Sequence, residues 1–316
     1  MLSRKIFIKL IFAFLFLKEK VFTQAKQMKR SRWDILFSDH KIEKSTNIPT
    51  PNDWSDEKIT VTWIGHATVL INFYGTWILT DPVFSDKVGP SGFGIKIGTK
   101  RLIAPALPIK SIPKIDLILL SHGHFDHLDI ESLKKFNKEI KIIMAKNTSD
   151  IISDLNFTKI SELDWNEKIN FKNIQIEAVE VKHFGWRYPW EKDRSRGNVN
   201  GRSYNAYLIY KNGKYIFFGG DTAYQKYFSS VGKRNIKIEL AIMPIGAYDP
   251  WVNAHANPEE TILMSEQLNV KNILPIHWRT FILSDEPTME PINRLKKINS
   301  KINIALDDIG KTWEST

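Results

Sequence analysis

Short apolar runs broken by turn residues dominate the body of this chain. "KITVTWIG" and "ATVLINF" are rich in β-branched and aromatic residues, Gly75 marks a turn, and "TWILTDPVF" predicts a third strand that stops at Asp81-Pro82. Residues 86–114 carry Gly, Pro and Lys with no clear period and read as a long, functional loop. Beyond it, four apolar runs each end on a residue type that binds metal: "IDLILLS" runs to His122, "IQIEAVEVK" to His183, "KYIFFGG" to Asp221 and "NILPI" to His277. Strand ends gathered at one sheet edge are where open α/β folds collect ligands. Helices fit between them, one over 130–137 behind an N-cap at Asp129 and one over 258–268 that opens on Pro258 with Glu259 and Glu260 in its first turn. The pattern predicts an α/β fold.

Composition refines this picture without changing it. The 316 residues are 42% hydrophobic and 12% aromatic, enough for one large domain, and no repeat or low-complexity stretch interrupts them. Three segments are expected: a leader (1–33), a polar linker (34–57) containing Pro49 and Pro51, and a metallohydrolase body (58–316). The absence of cysteine excludes disulfides, thiolate metal sites and a lipobox anchor, so any metal is held by nitrogen and oxygen.

The net charge of +10 is unevenly placed. Residues 1–33 hold nine Lys/Arg against Glu19, a net +8, which leaves +2 for the rest. A nearly neutral body argues against a nucleic-acid groove. The leader's apolar run from Ile6 to Leu17 is interrupted by Lys9 and is short for a membrane-spanning helix. It has the length of a signal-peptide core, with Thr23-Gln24-Ala25 as a weak cleavage site, or of an amphipathic anchor on an anionic membrane surface. Localisation is therefore expected to be membrane-associated or exported, with a cytosolic N-terminus as the rival.

The densest chemistry lies in "LLSHGHFDHLD". His122 and His124 stand two apart on a loop leaving a strand, and Asp126 and His127 follow at the turn into a helix. Taken singly, His183 and His277 are histidines that a core can bury with their own hydrogen bonds, and Asp221 is a turn residue. Together these seven donors overfill one tetrahedral ion and suit two. His122, His124 and His183 are expected to hold the first, and Asp126, His127 and His277 the second, with Asp221 bridging. Two such cations bridge and acidify a water, so Asp126 and Asp221 support metal-assisted hydrolysis of an ester, amide, lactone or phosphodiester. His40 is read as a surface residue without a role.

"SHGHFDHLD" resembles the signature of the metallo-β-lactamase superfamily, and "GGDTAY" and "LPIHW" are similar to its later ligand motifs. "WIGHATVLI", "LTDPVFS", "MPIGAYDPW", "HANPEE" and "PIHWRTF" together resemble the N-acylphosphatidylethanolamine-hydrolysing phospholipase D branch, over residues 61–282. The resemblance implies an αβ/βα four-layer sandwich with two zinc ions, although manganese or iron suits the same donors. It also implies cleavage of an N-acylated ethanolamine phospholipid into phosphatidic acid and an N-acylethanolamine. His255 matches a histidine that the family places beside substrate, and His66 in "IGHAT" matches a motif at the floor of the site. Arg279 departs from the pattern, standing where the family usually has Gly, and as a cation beside a ligand it is expected to bind a phosphate or to cover the site.

The loop over 184–203 interleaves Trp186, Tyr188 and Trp190 with Arg187, Arg194 and Arg196, a composition that suits a lipid headgroup interface or an ordinary stacked surface loop. The expected partners are therefore a phospholipid substrate and an anionic membrane, with no nucleic acid. The alternative is a metallohydrolase of the same fold acting on a small soluble ester, lactone or phosphodiester, because fold does not fix substrate. A metal-binding protein without turnover ranks last, since every ligand position is filled.

Overall fold

The apolar runs assemble into two seven-stranded mixed sheets. In the computed structural model, which describes residues 39–92 and 95–315, the first sheet takes β1 (Ile59–Gly65), β2 (Thr68–Phe73), β3 (Thr76–Thr80), β4 (Leu117–Leu120), β5 (Lys141–Ala145) and β6 (Ile160–Leu163). The second takes β7 (Lys168–Phe171), β8 (Ile174–Val179), β9 (Ala206–Lys211), β10 (Lys214–Phe218), β11 (Ile238–Pro244), β12 (Asn272–Ile276) and β13 (Asn303–Ile304), and β14 (Thr312–Glu314) returns to the first. Spatial order is β6-β5-β4-β3-β2-β1-β14 and β7-β8-β9-β10-β11-β12-β13. Within each sheet one half is an antiparallel meander and the other half is parallel, with β3, β4, β5 and β6 in parallel register in the first and β10, β11, β12 and β13 in the second. Strands such as β1, β4 and β11 are buried along their whole length. β4 accordingly reads as a continuous apolar run, whereas β1 still alternates with Thr60 and Thr62, which are buried as well.

One contiguous apolar core joins the sheets, with Trp63, Leu70 and Ile78 from the first meeting Tyr207, Phe217 and Ile242 from the second. At the site end the sheets are tied by polar bonds. Tyr207 Oη donates to the Leu120 carbonyl (2.9 Å), Asn205 N–H donates to the Ser121 carbonyl (2.9 Å), and His122 bridges Tyr204. Helices α1 (Ile130–Leu133), α2 (Phe228–Gly232), α3 (Pro258–Gln267) and α4 (Glu290–Leu295) complete the αβ/βα sandwich. Thr261 on α3 donates to the Pro244 carbonyl at the end of β11.

Several expectations shift. The helix expected over 130–137 stops at Leu133, because the next turns close through tighter i→i+3 bonds from Lys135 and Phe136. Asp129 occupies the N-cap without capping; its carboxylate instead accepts from Ser85 and Ser132 and pairs with Lys96. The helix over 258–268 forms as expected, sealed by a reciprocal capping box between Asn257 and Glu260. Within the 86–114 stretch, two short antiparallel ladders pair Lys87–Val88 with Thr99–Lys100 and Ser91–Gly92 with Ile95–Lys96. Gly89 holds φ at 147°, and a Cβ there would sit 2.1 Å from the Ile97 carbonyl oxygen, so no other residue fits.

The leader and residues 34–38 lie outside the described residues. From residue 39 the polar segment packs on the body, where Glu43 bridges Ile103 and Trp54 stacks on Trp77 at 5.5 Å. Among the described residues no helix is long and apolar enough to cross a membrane.

Candidate metal centre

The ends of four strands and one turn deliver the site. The loop after β4 carries His122, His124, Asp126 and His127, while His183 follows β8, Asp221 follows β10, His277 follows β12, and His66 occupies the β1–β2 turn. Donor atoms of His122, His124 and His183 lie within 4.8 Å of one another, as do those of Asp126, His127, His277 and His66. Asp221 stands between the two groups. Its Oδ2 is 3.1 Å from both His127 Nε2 and His277 Nε2, 4.0 Å from His122 Nε2 and 3.9 Å from His183 Nε2.

Outer hydrogen-bond partners, two side chains and one carbonyl, fix which ring nitrogen faces inward. His127 Nδ1–H donates to Asp81 Oδ2 (2.7 Å) and His183 Nδ1–H to the Ala254 carbonyl (2.9 Å), while His122 Nδ1 lies 2.9 Å from Ser121 Oγ. Each leaves its Nε2 pointing at the centre, the arrangement by which outer partners orient metal-binding imidazoles. Asp81 is itself fixed, accepting from the Ser121 N–H (2.7 Å) and Ser121 Oγ–H (2.6 Å). In the sequence Asp81 and Ser121 mark only strand ends, and the "LTDPVF" stop is the one signal of their role.

The centre meets the test for a metal site on its own atoms. His127 Nε2, His277 Nε2 and both Asp221 carboxylate oxygens are buried without a hydrogen-bond partner, and His124 turns its Nδ1 inward, 2.8 Å from His122 Nε2. Unpaired polar atoms are costly in a protein interior, and cations coordinated there would satisfy them. The electrostatics of the donor cluster show the same frustration. Burial alone would raise the Asp126 and Asp221 carboxyls, but neighbouring His127 and His277 hold them well below the usual range. Burial would likewise lower His277, yet Asp221 and Asp126 push it up to about 9, and they carry His127 upward as well. In His66 and His124 burial outweighs the pull of the carboxylates, and both fall to about 3 although Asp126 acts to raise each of them.

The three expected substrate residues part ways. His255 has a 12% exposed side chain, and its buried Nδ1, 3.6 Å from Asp221 Oδ2 and without a hydrogen-bond partner, joins His183 and Asp221 in a further group of donors. His66 is only 1% exposed and lies behind Asp126, with Nε2 3.0 Å from its Oδ2. It supports the carboxylate and has no open face for substrate. Arg279 pairs with Asp308 and turns from the centre. Its φ of 60° explains why glycine suits the position, and His66 and His277 share the left-handed conformation at 55° and 67°. Non-glycine residues held there store strain on the order of 1 kcal/mol each.

In the 184–203 loop, Arg187 is buried and Arg194 pairs with Asp164 over the Trp165 ring, which leaves Arg196 and the 55% exposed Trp190 on the surface. A headgroup interface built from all three arginines is therefore not what the loop presents.

The profile of the β-lactamase superfamily domain matches residues 76–278, well over half of the chain. The chain belongs to the β-lactamase superfamily. Among its superfamily relatives is the N-acyl-phosphatidylethanolamine-hydrolyzing phospholipase D 1 of Caenorhabditis elegans, 29% identical over 89% of this chain and 84% of that protein. A mitochondrial N-acyl-phosphatidylethanolamine-hydrolyzing phospholipase D of Saccharomyces cerevisiae is 32% identical over 82% of this chain, which spans 56% of that protein's length. Among solved structures, Igni18, a metallo hydrolase from the archaeon Ignicoccus hospitalis, superposes with a TM-score of 0.61 at 16% identity over 82% of this chain and 99% of its own, a likeness of fold.

Proposed function

We propose that this superfamily member is a metal-dependent hydrolase of phospholipase D type. It adds water across the phosphodiester of an N-acylphosphatidylethanolamine-like lipid and releases phosphatidic acid and an N-acylethanolamine. The observation that carries the reading is the convergence of buried, unpartnered imidazole and carboxylate atoms at one sheet edge. His122, His124 and His183 would hold one ion and Asp126, His127 and His277 the second, with Asp221 shared, a donor set that suits zinc. Cations held there supply Lewis acidity and acidify water toward neutral pH.

The chain's own groups do the rest. Asp221 and Asp126 set the charge of the cage, and His255, beside Asp221, would offer its imidazole to the scissile group. The two phospholipase D relatives support a lipid substrate. So do exposed Trp190, Tyr227, Trp251 and Val252, which stand on the loops that carry the site and suit contact with headgroups. The +8 leader would bring the body to anionic lipid.

The test compares N-acylphosphatidylethanolamine in vesicles with a soluble phosphodiester, zinc-loaded and chelated. Chelator-sensitive release of N-acylethanolamine is expected. Cleavage of the soluble diester alone would discard the lipid while keeping the centre, and chelator-insensitive behaviour toward both would overturn the reading.

A further inference from the structure

Arg187 has no part in the chemistry above, yet it is buried directly beneath the metal-binding loop. Only 8% of it is exposed, and among the described residues it forms no ion pair with a carboxylate. Its Nη1 donates one hydrogen to the Gly123 carbonyl (2.7 Å) and the other to the Leu128 carbonyl (3.0 Å), and its guanidinium lies 3.9 Å from the centroid of the Phe125 ring. Those two carbonyls bracket the segment that carries His124, Asp126 and His127. A single nitrogen thus fixes the distance between the two ends of the ligand loop.

The loop that presents Arg187 is itself anchored. The Arg187 N–H donates to Glu191 (2.6 Å), Glu191 pairs with Arg202, and buried Asp193 accepts from the Gly185 and Trp186 N–H groups at 2.5 and 2.6 Å. The two loops also touch, since a Cβ on Gly123 would lie 3.3 Å from the Gly185 carbonyl. Burying a cation without a directly paired carboxylate is costly even with Asp129 and Glu191 near enough to attract it, and an apolar side chain would fill the space more cheaply. What the guanidinium adds is a fork of charge-assisted bonds and a ring contact, both directed at one loop.

We infer that Arg187 is a positioning residue for the metal centre, holding the His124–Asp126–His127 segment in its ligating shape through the Gly123 and Leu128 carbonyls. The inference rests on the metal-centre reading.

It is tested on the full chain with Arg187→Lys and Arg187→Gln, measuring zinc affinity by chelator competition and the visible spectrum of the cobalt-substituted protein, which reports ligand geometry. A core variant, Ile216→Val, serves as the control for loss of stability alone. Arg187→Gln is expected to weaken zinc binding about tenfold, in the range found for outer partners of metal ligands. Arg187→Lys, which keeps the charge and loses the fork, should weaken it at least about threefold. Both should alter the cobalt spectrum, and Ile216→Val should not. If Arg187→Gln fails to fold, Arg187→Lys decides by the same criteria. A folded Arg187 variant with affinity within twofold of the parent and an unchanged spectrum overturns the inference alone, whereas a parent chain that binds neither zinc nor cobalt overturns it together with the metal centre.

Discussion

Asp126 stands where three histidines meet, 3.0 Å from His66, 3.4 Å from His277 and 3.6 Å from His127. Without its carboxylate the second ion would keep His127 and His277 and only the shared Asp221 as an anion. Asp126→Ala is therefore expected to bind one ion fewer per chain and to lose at least about a hundredfold in turnover. Metal analysis of dialysed protein with a parallel rate measurement checks this, and two ions at full rate would contradict the proposed assignment. Asp81 acts one step further out. Asp81→Asn keeps the shape but replaces the acceptor that fixes the His127 tautomer, so metal affinity should fall about 10–100-fold with the fold intact; unchanged affinity by chelator competition would show that Ser121 and packing suffice. The ligand candidates were legible because they are local signals, donors at short spacing in one loop and at the ends of apolar runs. Asp81, the His66–Asp126 contact and Arg187 were not, because their meaning arises only when segments about 40 to 60 residues apart are brought together.

The elements themselves were half readable. β1, β2 and β3 and the four ligand-bearing strands stand out in sequence. β5, β9 and β11 did not register, since a short buried run has no period to separate strand from helix. The 130–137 stretch "IESLKKFN" has helical residues throughout, but after one turn the backbone tightens to i→i+3 bonds at Lys135 and Phe136, which no residue pattern announces. α3 was legible because its start is written in side-chain chemistry. Asn257 accepts from the Glu260 N–H (2.9 Å) and Glu260 reaches back to the Asn257 N–H (3.1 Å), two residues past His255. Asn257→Ala should cost about 1 kcal/mol, seen as a fall of roughly 2–4 °C in Tm. An unchanged Tm would mean that packing of α3 on β11 alone sets its start.

For the whole molecule, the centre carries opposed histidines, and this shapes how the metal-free protein responds to pH. Unfolded histidines titrate near 6.5, whereas His66 and His124 are held at about 3 by burial. Between those values the unfolded chain binds more protons, so each of the two erodes stability as pH falls below 6.5. His277 behaves in the opposite way. Its folded form keeps the proton up to about 9, so its contribution is fully present below 6.5 and is lost as pH climbs toward 9. Each group changes stability by up to about 1.4 kcal/mol per pH unit inside its window. His127, raised by Asp221 and Asp126, adds to the alkaline loss, and Asp126 and Asp221, held low, add to the acid loss. Chelated protein should therefore be most stable near pH 6.5 and less stable on both sides. Zinc should remove the alkaline limb, because ligation needs His127 and His277 neutral and so grows easier as pH rises. Thermal unfolding at about pH 5, 6.5 and 9, with zinc and with chelator, resolves the two curves. A chelated protein whose Tm climbs steadily to pH 9 would show that His127 and His277 do not keep their protons in the empty cage, and that the carboxylates face some other counter-charge.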